Sequence, residues 1–421
     1  MNTPFQGSEP LEVVTFGCRL NACESEALRR QAEAQNFADT VVFNTCAVTL
    51  EAARQARQAI RKTRRERPNA RLVATGCAVQ TDPAAFAAMA ELDLVLGNAE
   101  KLAPGAFGPG PKIRVGDIMR PQRTDGRWGA ARRSARAYVE IQNGCDHRCT
   151  FCIIPLGRGN SRSAPAEKVI GHVRAAIAAG CAEVALTGVD LTSWGADLGG
   201  APRLGELVRR ILREAPELPR LRLSSIDAAE ADEALIEAFG CEARLMPHLH
   251  LSLQSGDDLI LKRMKRRHSR GQALTLIERL RRARPGIAIG ADLIAGFPTE
   301  TDSAFENTLR LVEEAGLAFA HVFPFSPRPG TPAARMPQVP RDVVRRRAGR
   351  LRAATEAARA RHLERRVGTG ARALVEGAGR ARDEDYTEVA FSGEAHIGAI
   401  IAGAIVGSDR GQARLGAWQA A

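Results

Sequence analysis

Short apolar runs alternate with longer helical patterns from the start of the chain. Three runs near the N-terminus, "LEVVTFGC" ending at Cys18, "TVVFNTC" ending at Cys46 and "RLVATGC" ending at Cys77, are β-rich and stop at a cysteine. Each gives way to a helical pattern such as "EAARQARQAIRKTRRER". The runs recur about every thirty residues, the length of one βα unit. That repeat predicts a parallel sheet whose carboxyl edge gathers the three cysteines into one crevice.

Further along, "RAYVEIQNG" (136–144) alternates Tyr138, Glu140 and Gln142 with Ala137, Val139 and Ile141, the period of a strand. Strand-like runs follow at 182–189, 221–226, 248–256, 287–298 and 317–327, with helical patterns between them, as at 165–180 and 269–284. Ser269 has the type and place of a helix N-cap. Six βα units predict a parallel sheet curved into a partial barrel. Residues 341–366 form a long Arg-rich helical pattern, by default a solvated face, with RNA contact close behind. After "VGTG" come short alternating strands, "ARALVEG", "YTEVAFSG" and "HIGAIIAGAIVG", whose turn signals predict a small β-barrel. The expected fold class is α/β in three domains. A parallel-sheet domain spans 10–122, a partial (β/α)6 barrel 131–366 and a small β-barrel 367–421.

Composition narrows the setting. Hydrophobic residues make up 44% and charged residues 26% of 421, the balance of a soluble globular protein. The net charge of +12 points to an acidic partner, nucleic acid first, although an Arg-rich proteome would give the same sum. The start "MNTPFQGSEP" lacks the basic and apolar regions of a signal peptide. The longest apolar run, 395–407, is too short and Gly-rich to span a bilayer. The expectation is a cytoplasmic protein with no membrane partner, whose nine cysteines bind metal or do chemistry.

The densest cysteine stretch is "CDHRCTFC", with Cys145, Cys149 and Cys152 in a C-x₃-C-x₂-C run. Zinc and iron–sulfur sites ordinarily take four ligands, so a structural zinc knuckle would need one more nearby. His147, inside the loop, is awkwardly placed to share coordination. Cys23 falls within the first helical pattern and competes poorly with Cys18 as a ligand, while the isolated Cys181 and Cys241 read as packing residues. His248 and His250 read as core or pocket wall. Polar or small residues mark several strand ends: Gly188, Asp190, Ser225, Gln254 and Ser255, with Asp292 inside "GADLIAGFP". Turn chemistry and capping explain such residues as readily as ligand binding does.

A C-x₃-C-x₂-C run after a first strand resembles the radical S-adenosylmethionine (SAM) enzymes. The resemblance implies a [4Fe–4S] cluster on Cys145, Cys149 and Cys152, with one iron left open for the amino and carboxylate groups of SAM. It also implies an open six-strand barrel and a SAM pocket lined at Gly188, Asp190, Ser225, Gln254, Ser255 and Asp292. "TFGCRLNACESE", "NTCAVT", "TGCAVQ" and "GCDHRCTFCIIPLGRG" together are similar to the methylthiotransferases, nearly end to end. That family implies a second [4Fe–4S] cluster, on Cys18, Cys46 and Cys77, and a C-terminal TRAM module resembling an RNA-binding barrel. The uncharged "AIIAGAIVG" departs from a strongly basic module, and an aromatic content of 5% argues against extensive base stacking.

Within the family, "LTGVDLTSWG", "HLHLSLQSG", "LKRMKRRH" and "HVFPFSPRPGTPAARMP" are most similar to the group acting on N6-threonylcarbamoyladenosine beside the tRNA anticodon. Other groups act on isopentenyladenosine of tRNA or on a ribosomal-protein aspartate. The resemblance implies that the first cluster reduces SAM to a 5′-deoxyadenosyl radical, which activates carbon 2 of the adenine. The second cluster would hold the sulfur, which a second SAM methylates. A flavodoxin- or ferredoxin-like electron donor and a sulfur donor are implied partners, and a monomer is expected. The distant alternative is a non-catalytic RNA-binding protein with two structural zinc sites.

Overall fold

The computed structural model describes residues 11–33, 39–120, 123–130 and 134–421. The segment "MNTPFQGSEP" and the expected domain limits at 10, 122 and 131 lie outside the described residues.

The N-terminal strands Leu11–Thr15, Thr40–Thr45 and Arg71–Gly76 pair in parallel and in chain order. The two short strands Leu94–Leu96 and Ile113–Arg114 continue the sheet. The run Val41–Val42–Phe43 is apolar at every position because both faces are covered. Val41 and Phe43 pack with Ala53 and Ile60 of the helix Leu50–Glu66, whereas Val42 packs with Val13 and with Leu28 of the helix Arg19–Glu33. The helices that follow the first two strands pack on opposite faces, and the carboxyl edge carries Cys18, Cys46 and Cys77.

The central domain has the six expected parallel strands in chain order: Arg136–Glu140, Glu183–Thr187, Arg220–Leu223 with Ser225–Ile226, His248–Gln254, Ala288–Ala295 and Phe319–Pro324. The third breaks at Ser224. Its first half pairs with Glu183–Thr187 and its second with His248–Gln254, so the wall bends there into two four-stranded sheets. An antiparallel strand, Arg127–Gly129, edges the first sheet, outside the expected core. Ser269 caps the helix Arg270–Ala283 in a reciprocal box with Gln272.

Two expectations are corrected. Cys241 is exposed, donating to the Glu237 carbonyl at 3.0 Å near the end of its helix, and is not a packing residue; Cys181 is buried in the core. The Arg-rich helix Arg341–Arg366 is not simply solvated. Val344, Ala348, Leu351, Thr355, Ala358 and Leu363 form a buried stripe hidden in the sequence by the arginines around it. Arg347 joins that stripe because Glu300 and Asp302 pair with it at 2.9 and 2.7 Å.

The C-terminal strands Gly370–Gly377, Arg380–Arg382, Glu388–Ala390, Ile400–Asp409 and Gln412–Ala420 close into a barrel, two more strands than the sequence runs suggested. Ala371, Ala373, Val375, Ile401 and Ile405 fill it. The barrel docks where the central strands begin. Buried Glu183 binds Arg136 and, at 3.0 Å, Arg222; Arg222 also donates to the carbonyls of Glu384 (3.0 Å) and Asp383 (3.3 Å). Arg220 donates to the Arg372 carbonyl at 2.5 Å. Among the described residues no helix is long and apolar enough to cross a membrane.

Candidate active site

Two cysteine triads occupy strand ends that face each other. The loop carrying Cys145, Cys149 and Cys152 leaves the first central strand and is closed at its base by Gln142–Asn143 pairing with Arg162–Ser163. Gly144 opens it at φ +72°, where a Cβ would meet the Asn160 carbonyl at 1.9 Å, so only glycine fits. The Cys145 amide donates to the Gly159 carbonyl and the Cys152 amide to the Cys149 carbonyl, both at 3.0 Å, which coils the loop around its thiols. Arg266 brings a guanidinium within 3.6 Å of the Cys149 sulfur. Burial raises the Cys145 thiol, and raises that of Cys152 to about 11, with neighbouring thiolates adding to both.

The second triad needs the N-terminal sheet. Cys18, Cys46 and Cys77 each follow a strand end, and a Cβ on Gly17 (φ +93°) would lie 2.6 Å from the Cys46 sulfur. Burial, then the charges of Cys77 and Cys18, push the Cys46 thiol up to about 12. Cys18 is exposed only because it opens onto a cavity; protein surrounds it closely enough to raise its thiol. Cys23 is buried in the helix, its thiol directed to the Tyr138 carbonyl at 3.4 Å.

All-sulfur donors, three to a site, suit an iron–sulfur cluster with one iron left open. Burial opposes thiolates at Cys18, Cys46, Cys145 and Cys152 until a cationic core draws off their protons. Both triads fit that group.

Arg158, unremarked in the sequence although it stands in "IIPLGRG", joins the sites. Buried on the short helix Ile154–Arg158, it donates from Nε to the Cys77 sulfur at 3.2 Å. Its other nitrogens reach Glu24 at 2.8 and 3.0 Å and Asn21 at 2.5 Å. Lys101 also holds Glu24, at 2.6 Å. Burial opposes the charge on Glu24, yet Arg158 and Lys101 keep its carboxyl well below the usual carboxylate range.

A cavity of about 840 Å³ runs from Cys18, Cys46 and Cys77 into the barrel interior. Gly188, Ser225 and Asp292 line it, as do His248 and His250, expected as core or wall. Asp292 accepts from His250 (2.9 Å) and His321 (3.1 Å). Asp190, Gln254 and Ser255 lie off its wall. Asp190 faces His147 at 2.7 Å and Cys145 at 3.7 Å, Gln254 ends its strand at φ +67°, and Ser255 meets Thr308 at 3.3 Å. The ligand atoms of Cys145, His147 and Asp190 fall within 4.8 Å of one another, so the loop brings His147 closer to the thiol than its place in the sequence predicts. Cys145, Cys149 and Cys152 are also off the wall, which their loop reaches at Ile154 and Arg158.

Residues 139–312 match the radical SAM superfamily and residues 11–97 the family UPF0004. The threonylcarbamoyladenosine tRNA methylthiotransferase MtaB of Rickettsia prowazekii is 45% identical, covering 95% of this chain and 96% of its own. The MtaB of Aquifex aeolicus is 33% identical over 92% of this chain and 98% of its own. A tRNA-2-methylthio-N(6)-dimethylallyladenosine synthase of Novosphingobium aromaticivorans is 35% identical over 92% and 93%. Among solved structures, the radical SAM methyltransferase TsrM of Kitasatospora setae shares the fold at a TM-score of 0.54 and 16% identity, covering 75% of this chain and 76% of its own.

Proposed function

The chain belongs to the radical SAM methylthiotransferases, and we propose that it converts N6-threonylcarbamoyladenosine next to the tRNA anticodon to its 2-methylthio derivative. The observation that carries this reading is one cavity joining Cys18, Cys46 and Cys77 to the interior of the six-strand barrel. The 45% identity to the Rickettsia MtaB, against 35% to the dimethylallyladenosine synthase, favours threonylcarbamoyladenosine over isopentenyladenosine.

Cys145, Cys149 and Cys152 would hold one [4Fe–4S] cluster, and Cys18, Cys46 and Cys77 the other. When bound, the clusters and SAM supply the radical that activates carbon 2 of adenine and the sulfur and methyl group placed there. Gly188, Ser225 and Asp292 would contact SAM on the wall, with Asp190, Gln254 and Ser255 shaping the strand ends behind it. Arg266 and Arg158 each donate to one sulfur of a triad, Cys149 and Cys77, and set a positive charge beside it. The cavity would keep the reacting base from water and fix its approach.

The domains would divide the labour as a sulfur-side unit over 10–122, the radical core over 131–366 and a TRAM-like barrel over 367–421. A tRNA substrate accords with the net charge of +12. The reading further includes a monomer acting in the cytoplasm with a flavodoxin- or ferredoxin-like reductant and a sulfur donor. Deleting the gene and analysing digested bulk tRNA by mass spectrometry tests the substrate. The 2-methylthio nucleoside should vanish and N6-threonylcarbamoyladenosine accumulate; its persistence would refute the reading.

A further inference from the structure

The arginines and several histidines along the cavity wall differ in what they pair with. His250 and His321 share Asp292. His362 meets Asp385 at 3.1 Å, Arg382 meets Glu376 at 3.1 Å, and Arg158 holds Glu24. Arg19 differs. It follows Cys18, lines the same cavity, is half-buried, and meets no carboxylate among the described residues. Its partner is Tyr386, whose hydroxyl accepts from Nη2 at 2.7 Å and whose ring centroid lies 5.0 Å from the guanidinium carbon. Arg359 also lacks a carboxylate but is exposed on the outer helix, free to turn to water.

A half-buried guanidinium without a counter-ion is costly unless a ligand supplies one. It offers five N–H groups in a rigid fork, most of them left over after one bond to Tyr386. The side group of threonylcarbamoyladenosine carries a carboxylate; an isopentenyl group carries none. We propose that Arg19, aimed by Tyr386, binds the carboxylate of the threonyl group and is the residue by which the site selects its nucleoside. This assignment rests on the substrate reading above. Tyr386 belongs to the C-terminal barrel, so that module acts as a positioning element inside the pocket. Arg19 adjoins Cys18, which ties substrate choice to the sulfur side of the site.

The test uses reconstituted full-length enzyme and two anticodon stem-loop RNAs. One carries threonylcarbamoyladenosine as the free acid, the other its methyl ester. The wild type should prefer the acid in kcat/KM by about tenfold or more, the worth of a charge-assisted pair. Arg19→Gln should bring the ratio near one, Arg19→Lys should keep part of it, and Tyr386→Phe should lower it partway with the iron content unchanged. A wild-type ratio in Arg19→Gln, or no preference in the wild type, overturns the assignment and leaves the substrate reading standing. If Arg19→Gln fails to load iron, Tyr386→Phe decides, and an unchanged ratio there overturns it. Turnover of an isopentenyladenosine stem-loop and of neither threonylcarbamoyl RNA would overturn the substrate reading and this assignment together.

Discussion

Arg158 donates to the sulfur of Cys77 across 3.2 Å, so a side chain of the barrel's own cysteine loop touches the triad of the N-terminal domain. Arg158→Leu would leave Glu24 buried with Lys101 as its main partner. Breaking such a buried pair costs about 3–5 kcal/mol. The variant should unfold at lower urea and carry roughly half the iron, with 5′-deoxyadenosine formation retained. A full iron load would show that Arg158 is dispensable to the N-terminal site.

The two triads should load separately. Anaerobic reconstitution of the wild type should give about eight irons per chain, and the combined Cys18→Ala, Cys46→Ala and Cys77→Ala variant about four. SAM cleavage should survive in that variant. Cys23, buried against the Tyr138 carbonyl, is too far committed to the core to replace Cys18. Iron retained in full would move the assignment elsewhere.

Cys149→Ala should abolish reductive cleavage of SAM and spare the N-terminal iron. Its sulfur would be one of three protein ligands and is the one that Arg266 approaches. Wild-type release of 5′-deoxyadenosine, followed by chromatography, would contradict the radical reading.

Arg222→Met should destabilise the whole chain by about 3–5 kcal/mol, since it takes away one of the two arginines that hold a buried carboxylate. Glu183 would keep Arg136, and the carbonyls of Asp383 and Glu384 would lose their donor. Adding Glu183→Gln should restore part of the urea midpoint. No recovery in the double variant would mean that lost packing, not charge, carries the cost.

Much of this was legible in the residues. The strand-then-cysteine repeat foretold both the N-terminal sheet and the edge where Cys18, Cys46 and Cys77 meet, because parallel pairing leaves strand ends together. Six central strands followed from period-two runs. What escaped was set by tertiary contact. Leu94–Leu96 and Ile113–Arg114 are too short to carry a period and exist because a neighbouring strand recruits them. The buried stripe of Arg341–Arg366 is masked by arginines that snorkel or pair. Arg158, Glu24 and Arg19 looked like ordinary charges, and only the folded chain shows which of them has a partner.

Arg220 and Arg222, early in their strand, point spare N–H groups at carbonyls of Arg372, Asp383 and Glu384. The central domain and the C-terminal barrel therefore share one set of polar contacts. Taking away residues 367–421 would strip those guanidinium donors of their backbone acceptors, so the two modules stand or fall as one unit of stability.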